Sequence, residues 1–115
     1  MYKSLFSVYY TLVPSAAPQN VHSSSISSFA IALLWEKPPI EHQNGEISGY
    51  HVRIMLQEVV IMQLSSQHPS VTVTSLDETT TYEVSVAAST RIGMGPYSEP
   101  VLVTTKKYQG MLFER

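Results

Sequence analysis

The chain has 115 residues, a formal net charge of −2, no cysteine, 43% hydrophobic and only 14% charged residues. That length holds one domain whose core buries roughly 65% of the unfolded surface. The missing cysteines exclude disulfides, thiolate catalysis and cysteine metal sites, and the near-neutral charge gives no electrostatic basis for nucleic-acid binding. No apolar run reaches the length of a membrane-spanning helix, and an abundance of Ser, Thr, Val and Tyr with few helix-favouring windows points to an all-β class.

Residues 1–13 are apolar with Lys3 near the start, and Pro14-Ser15-Ala16-Ala17-Pro18 follows. A short signal peptide and a remnant of an upstream region both fit. Ser7, Tyr9, Tyr10 and Thr11 dilute the apolar stretch, and Pro18 disfavours cleavage after Ala17, so the remnant is the better fit. A first strand is expected over 19–25 with Val21 inward, followed by a serine cluster (Ser23 to Ser28, broken by Ile26) as loop or weak edge. Phe29 to Trp35 reads as the second strand, with Ile31, Leu33 and Trp35 on one face. Pro38-Pro39 cannot continue a central strand, so Trp35 sits at its end over the core.

A polar loop with a turn at Asn44-Gly45 leads to a third strand over 47–56, with Tyr50, Val52 and Ile54 inward and His51 and Arg53 outward. Gln57-Glu58 is the expected turn into a fourth strand over 59–64. Ser70 to Thr74 alternates with Val71 and Val73 inward. A turn at Leu76 to Thr80 then opens a strand headed by Tyr82, with Val84, Val86 and Ala88 on its face and Glu83, Ser85, Ala87 and Ser89 on the other. The Tyr82 hydroxyl is placed to bond a backbone group near Leu76, where the chain changes sheets. Thr90-Arg91-Ile92-Gly93-Met94-Gly95-Pro96 reads as a glycine-rich loop, Tyr97 to Thr105 as the last strand with Val101 and Val103 inward, and 106–115 as a tail. Seven short strands with turn signals every 8–12 residues describe an antiparallel sandwich of two sheets.

Several pieces of this order resemble a fibronectin type III domain. They are Ala17-Pro18-Gln19-Asn20-Val21, Leu33-Leu34-Trp35-Glu36-Lys37-Pro38-Pro39, Asn44-Gly45-Glu46-Ile47-Ser48-Gly49-Tyr50, Leu76 with Thr81-Tyr82-Glu83-Val84, and Gly93-Met94-Gly95-Pro96-Tyr97-Ser98. The resemblance implies an immunoglobulin-like, seven-stranded sandwich over 15–105, an N-terminal segment over 1–14 and a C-terminal tail over 106–115. Its structural core would be Trp35, Tyr50, Leu76, Tyr82, Val84 and Val86. The flavour is similar to modules repeated in cell-surface receptors, receptor protein-tyrosine phosphatases and neural adhesion molecules. That similarity implies a non-catalytic protein-binding or spacer module, extracellular or at the cell surface, whose partners are neighbouring modules and cell-surface ligands. Two alternatives stand beside it: an intracellular titin-like array module, and an accessory sandwich of a carbohydrate-active enzyme.

No chemical site emerges from the residues. His22, His42, His51 and His68 lie in different elements without metal-ligand spacing, no nucleophile motif occurs, and no cofactor or small-molecule substrate is expected. Gly93-Met94-Gly95 precedes no helix and so does not make a phosphate loop. No Asn-x-Ser/Thr glycosylation triplet and no Arg-Gly-Asp is present. For protein contact, Arg91 and Tyr97 around the last hairpin loop are the better residue types. The segment from Met55 to Leu64, charged only at Glu58, departs from the family's expected charged turn and makes an apolar edge around Ile61. Residues 59–64 are therefore a candidate for self-association, unless Leu5, Phe6, Val8, Tyr9 and Tyr10 or a neighbour cover them.

Overall fold

The computed structural model describes residues 12–110; the leader reading and the proposed cover from Leu5 to Tyr10 lie outside them. Eight antiparallel strands form two packed sheets. The first sheet is β1 (Gln19–Ile26), β2 (Ile31–Glu36) and β5 (Ser70–Val73), in the order β1-β2-β5. The second is β4 (Val59–Ser66), β3 (Gly49–Leu56), β6 (Thr81–Ser89) and β7 (Met94–Tyr97), with β8 (Val101–Thr104) pairing the front half of β6. One short 3-10 turn, Ile40–His42, lies in the loop after Pro38-Pro39.

Period-two alternation places the core. Ile31, Leu33 and Trp35 of the first sheet meet Tyr50, Val52, Ile54, Tyr82, Val84, Val86 and Ala88 of the second, with Val73, Leu76 and Val103 closing the cluster. Val21, Val71 and Val101 pack at its margin, partly buried. Trp35 and Tyr50 meet across the two sheets edge to face, with centroids 5.4 Å apart at 68°, a geometry that suits the ring quadrupoles. The crossing between sheets is pinned at Tyr82: the Asp77 N–H donates to its hydroxyl at 2.8 Å. Thr105 reinforces the same corner, its hydroxyl donating to the Asp77 carbonyl at 2.7 Å and accepting from the Thr80 N–H at 2.9 Å.

Several expected boundaries shift: the first strand runs on to Ile26, the third starts at Gly49 rather than Ile47 and the fourth continues to Ser66, and two further corrections have a visible cause. The second strand begins at Ile31 rather than Phe29, because Ser27 closes a tight turn: its N–H donates to the Ala30 carbonyl at 2.9 Å and its hydroxyl accepts from the Ala30 N–H at 3.1 Å. Phe29 is thereby turned out of the sheet and packs on Tyr108, centroids 5.4 Å apart. The last strand is two strands, β7 and β8, and Met94 to Pro96 belong to β7 rather than to a loop. Between them Ser98 both donates its N–H to the Val86 carbonyl (2.9 Å) and accepts the Val86 N–H on its hydroxyl (3.0 Å). One residue thus satisfies both backbone groups of Val86 while the ladder is broken, and Pro100, which has no N–H, cannot extend it.

The hairpin between β3 and β4 turns at Gln57-Glu58, as its sequence predicts. Both residues take left-handed backbone, φ 51° and 68°, the geometry that matches the twist of two-residue hairpins. Neither is a residue type that favours this region. The Glu58 N–H finds a partner in the Glu83 carboxylate of the neighbouring strand, at 3.2 Å.

Candidate protein-binding surfaces

Three surfaces carry the residues that sequence reasoning singled out. The first is the outer face of the second sheet. The alternation of β6 predicts Ser85 and Ala87 on the side away from the core, and they do lie there, yet they are 1% and 0% exposed. The register explains why. Arg53 stands opposite Ser85 and Tyr97 opposite Ala87, and the Arg53 guanidinium carbon lies 3.9 Å from the centre of the Tyr97 ring. This cation–π stack, worth about 0.5–2 kcal/mol, roofs the two small residues. Arg53 Nε and Ser85 Oγ are buried without a hydrogen-bond partner among the described residues.

Tyr97 is therefore a half-buried face residue of β7. Arg91 is exposed on the loop before that strand, in a cleft of about 380 Å³ with Leu12, Asn44 to Ser48, Thr90 and Ile92. Arg91 lines that cleft and Tyr97 does not; Tyr97 stacks with Arg53, which sequence reasoning had placed outward but not singled out. No local signal could have found it, because Arg53 meets Ser85 only through the register between β3 and β6.

The second surface is the outer edge of β4, which pairs with no other strand among the described residues. Val59, Val60 and Ile61 are all exposed, Val59 at 61%. Val60 faces Met55 and Met62 faces Ile54, leaving Ile61 as the extra residue of a bulge. The strand carries no charge and no proline, two devices by which exposed edges usually resist pairing; the bulge is the only such device it has.

The third surface is the loop pole at one end of the sandwich, where 40–48 and 90–93 approach each other. The Asn44-Gly45 turn forms as predicted, with φ 57° and 145°. Histidines are dispersed: the His22 ring bonds the Asn20 carbonyl at 2.8 Å and the His42 ring lies 3.0 Å from the Ser15 hydroxyl. Among the described residues no group of three or more His, Asp or Glu is placed to hold a metal ion. No helix among them is long and apolar enough to cross a membrane.

Two sheets with this strand order, an inter-sheet tryptophan and a tyrosine-pinned crossing define an immunoglobulin-like sandwich of the non-disulfide kind. Residues 16–104 match the Fibronectin type III domain profile, and the chain belongs to that family. It is 37% identical over 102 residues to mouse (Mus musculus) Protein sidekick-2, covering 83% of this chain and 5% of that protein. It is likewise 37% identical over 98 residues to human (Homo sapiens) Receptor-type tyrosine-protein phosphatase F, covering 80% of this chain and again 5% of the relative. Domains A168–A170 of titin superpose with a TM-score of 0.75 at 26% identity, covering 83% of this chain and 33% of that one. The chain thus spans about a twentieth of the curated relatives it matches. A fibronectin type III sandwich is a non-catalytic module, and the relatives' name-giving phosphatase activity is a property of those whole proteins.

Proposed function

We propose that this domain is a protein-binding or spacer module of an extracellular adhesion or signalling receptor. The observation that carries the reading is its similarity to single modules of sidekick-2 and of receptor-type phosphatases, at 37% identity and 5% of their length. The physical chemistry of the chain supports it. The interior is filled by side chains rather than by a substrate pocket, and the polar groups that the fold uses, Tyr82 and Thr105 among them, hold strands and loops together. Contact with partners then falls to the outer face around Arg53 and Tyr97, to the loop pole around Arg91, and to the β4 edge around Ile61. An antibody raised against the folded domain is expected to label intact cells that express the parent protein. Labelling only after permeabilisation would move the domain to the titin-like reading, which the superposition on titin favours.

The β4 edge adds a more specific expectation. Two copies pairing antiparallel along Val59 to Ser66 would extend one sheet through a two-fold axis, and each apolar edge would cover the other. Sedimentation of the wild type is expected to show a concentration-dependent dimer, and Ile61→Lys is expected to be monomeric with its thermal stability nearly unchanged. A wild type that stays monomeric at high concentration would end the idea.

A further inference from the structure

The residues just ahead of the sandwich are held by side chains of two of its loops, one of which, Thr90, also accepts the Ile92 N–H within its own loop at 3.2 Å. The Thr90 hydroxyl donates to the Leu12 carbonyl at 2.6 Å, and the Asn44 side-chain amide donates to the Val13 carbonyl at 2.9 Å. The Ser15 N–H donates to the His42 carbonyl at 2.9 Å, and the Ser15 hydroxyl lies 3.0 Å from His42 Nδ1. Pro14 is fully buried. Its carbonyl oxygen passes so close to Gly95 that a Cβ there would lie 2.6 Å from it, with the Pro14 Cβ at 2.7 Å. Three stretches far apart in sequence, 42–44, 90 and 95, therefore converge on four residues that precede the matched region at 16–104.

We infer that the loop pole is a built binding site for the chain's own segment Leu12–Ser15, and that it fixes the position and direction of the polypeptide at Leu12. Recognition runs through backbone groups. Two successive carbonyls are bonded, one by each loop, along a segment that turns and bends at Leu12, Val13 and Ser15, while the Val13 and Pro14 side chains are buried beneath it. Pro14 fits because its missing N–H leaves no donor to satisfy in the buried position, and Gly95 fits because no larger residue leaves room for the proline. The strap also ties the two loops to each other: Asn44 and Thr90 hold neighbouring peptide units, so the cleft that contains Arg91 and Ile92 keeps its shape while the strap is seated. For a module that covers 5% of its relatives, a fixed direction at Leu12 sets the angle at which the chain enters the sandwich.

Amide hydrogen exchange on the full chain tests this residue by residue. In the wild type the Ser15 amide is expected to be protected to the level of an edge strand. Asn44→Asp keeps a residue tolerant of left-handed backbone and removes the donor to Val13; Thr90→Val removes the donor to Leu12 and, with it, the acceptor of the Ile92 N–H, so Asn44→Asp is the cleaner of the two. Each is expected to speed Ser15 exchange by roughly three- to tenfold, the equilibrium value of one net hydrogen bond, with Val84 in the core unchanged. Gly95→Ala, whose backbone is not left-handed, is expected to displace the strap by collision with Pro14 and to have the largest effect of the three. Should Thr90→Val loosen the core as well, the other two variants carry the same comparison. Exchange of Ser15 at the free-peptide rate in the wild type, or a rate unmoved by all three variants, would overturn the inference.

Discussion

Trp35→Ala is expected to destabilise the domain by about 3–5 kcal/mol. The indole is the largest side chain in the cluster and the one that spans the gap between the sheets, meeting Tyr50 edge to face. Its loss removes apolar burial from both layers and leaves a cavity that neither sheet can close, since the backbone on each side is fixed by ladders to β1, β5 and β6. A domain of this size is stable by about 5–15 kcal/mol, so the substitution consumes a large share of the total. Chemical denaturation at 25 °C reads the effect directly, and it predicts a variant that is partly unfolded without denaturant when the parent stability is at the low end. Trp35→Phe is the informative control. It keeps a ring against Tyr50 and deletes an indole N–H that is buried without a partner among the described residues, so its cost is expected to be less than half that of alanine. Equal costs for the two would show that the indole's outer ring, rather than the inter-sheet contact, supplies the stability.

Tyr82→Phe is expected to cost about 1–2 kcal/mol, and Tyr50→Phe nothing or a slight gain, although both rings are buried in the same core. The difference lies in the hydroxyls. That of Tyr82 satisfies the Asp77 N–H at 2.8 Å, and its removal leaves a partly buried donor unpaired at the crossing between sheets. That of Tyr50 has no partner among the described residues, so phenylalanine relieves a desolvated polar group. The pair also separates by pH. Burial raises the Tyr50 phenol above its ordinary value of 10.0, because the phenolate would lose its water. The unfolded chain therefore gives up this proton first. The Tyr50 contribution to stability is complete below about pH 10 and falls as the pH climbs through and past it. Denaturation midpoints between neutral pH and pH 11 are expected to fall more steeply in the wild type than in Tyr50→Phe. An unchanged midpoint for Tyr82→Phe at neutral pH would remove the tyrosine from its structural role.

The two tyrosines illustrate what is legible in a chain of this kind. Alternation over 82–88 and 50–54 is a local property, and it assigns both rings to the core without any knowledge of the partner sheet. The turn before Tyr82 is local as well, five residues from the hydroxyl it bonds. Which hydroxyl is satisfied is not local for Tyr50, whose surroundings come from β2 and β6. The same distinction explains the outer face. Ser85 and Ala87 are correctly assigned to the side away from the core, and nothing along β6 reveals that they are buried. Their cover arrives from Arg53, on the strand paired at that position, and from Tyr97, whose register is set by an irregularity between Ala87 and Ser89. The split of the last strand has a similar origin. Pro100 marks a place where pairing weakens, but the two-sided bond of Ser98 to Val86 exists only once the strands are side by side.

The order of hydrophobic alternations, the Trp35 and Tyr82 landmarks and the turns at Asn44-Gly45 and Gln57-Glu58 determined the sandwich and its family by themselves, because each depends on contacts a few residues long or on a period intrinsic to the strand. The tertiary structure alone decided what the surfaces are. It placed Arg91 in the loop-pole cleft, stacked Tyr97 beneath Arg53, left the outer edge of β4 without a paired strand among the described residues, and seated Leu12–Ser15 through bonds spanning 31 residues to Asn44 and 78 to Thr90. Contacts at such separations follow from how the sheets pack and the loops converge, which no local period encodes.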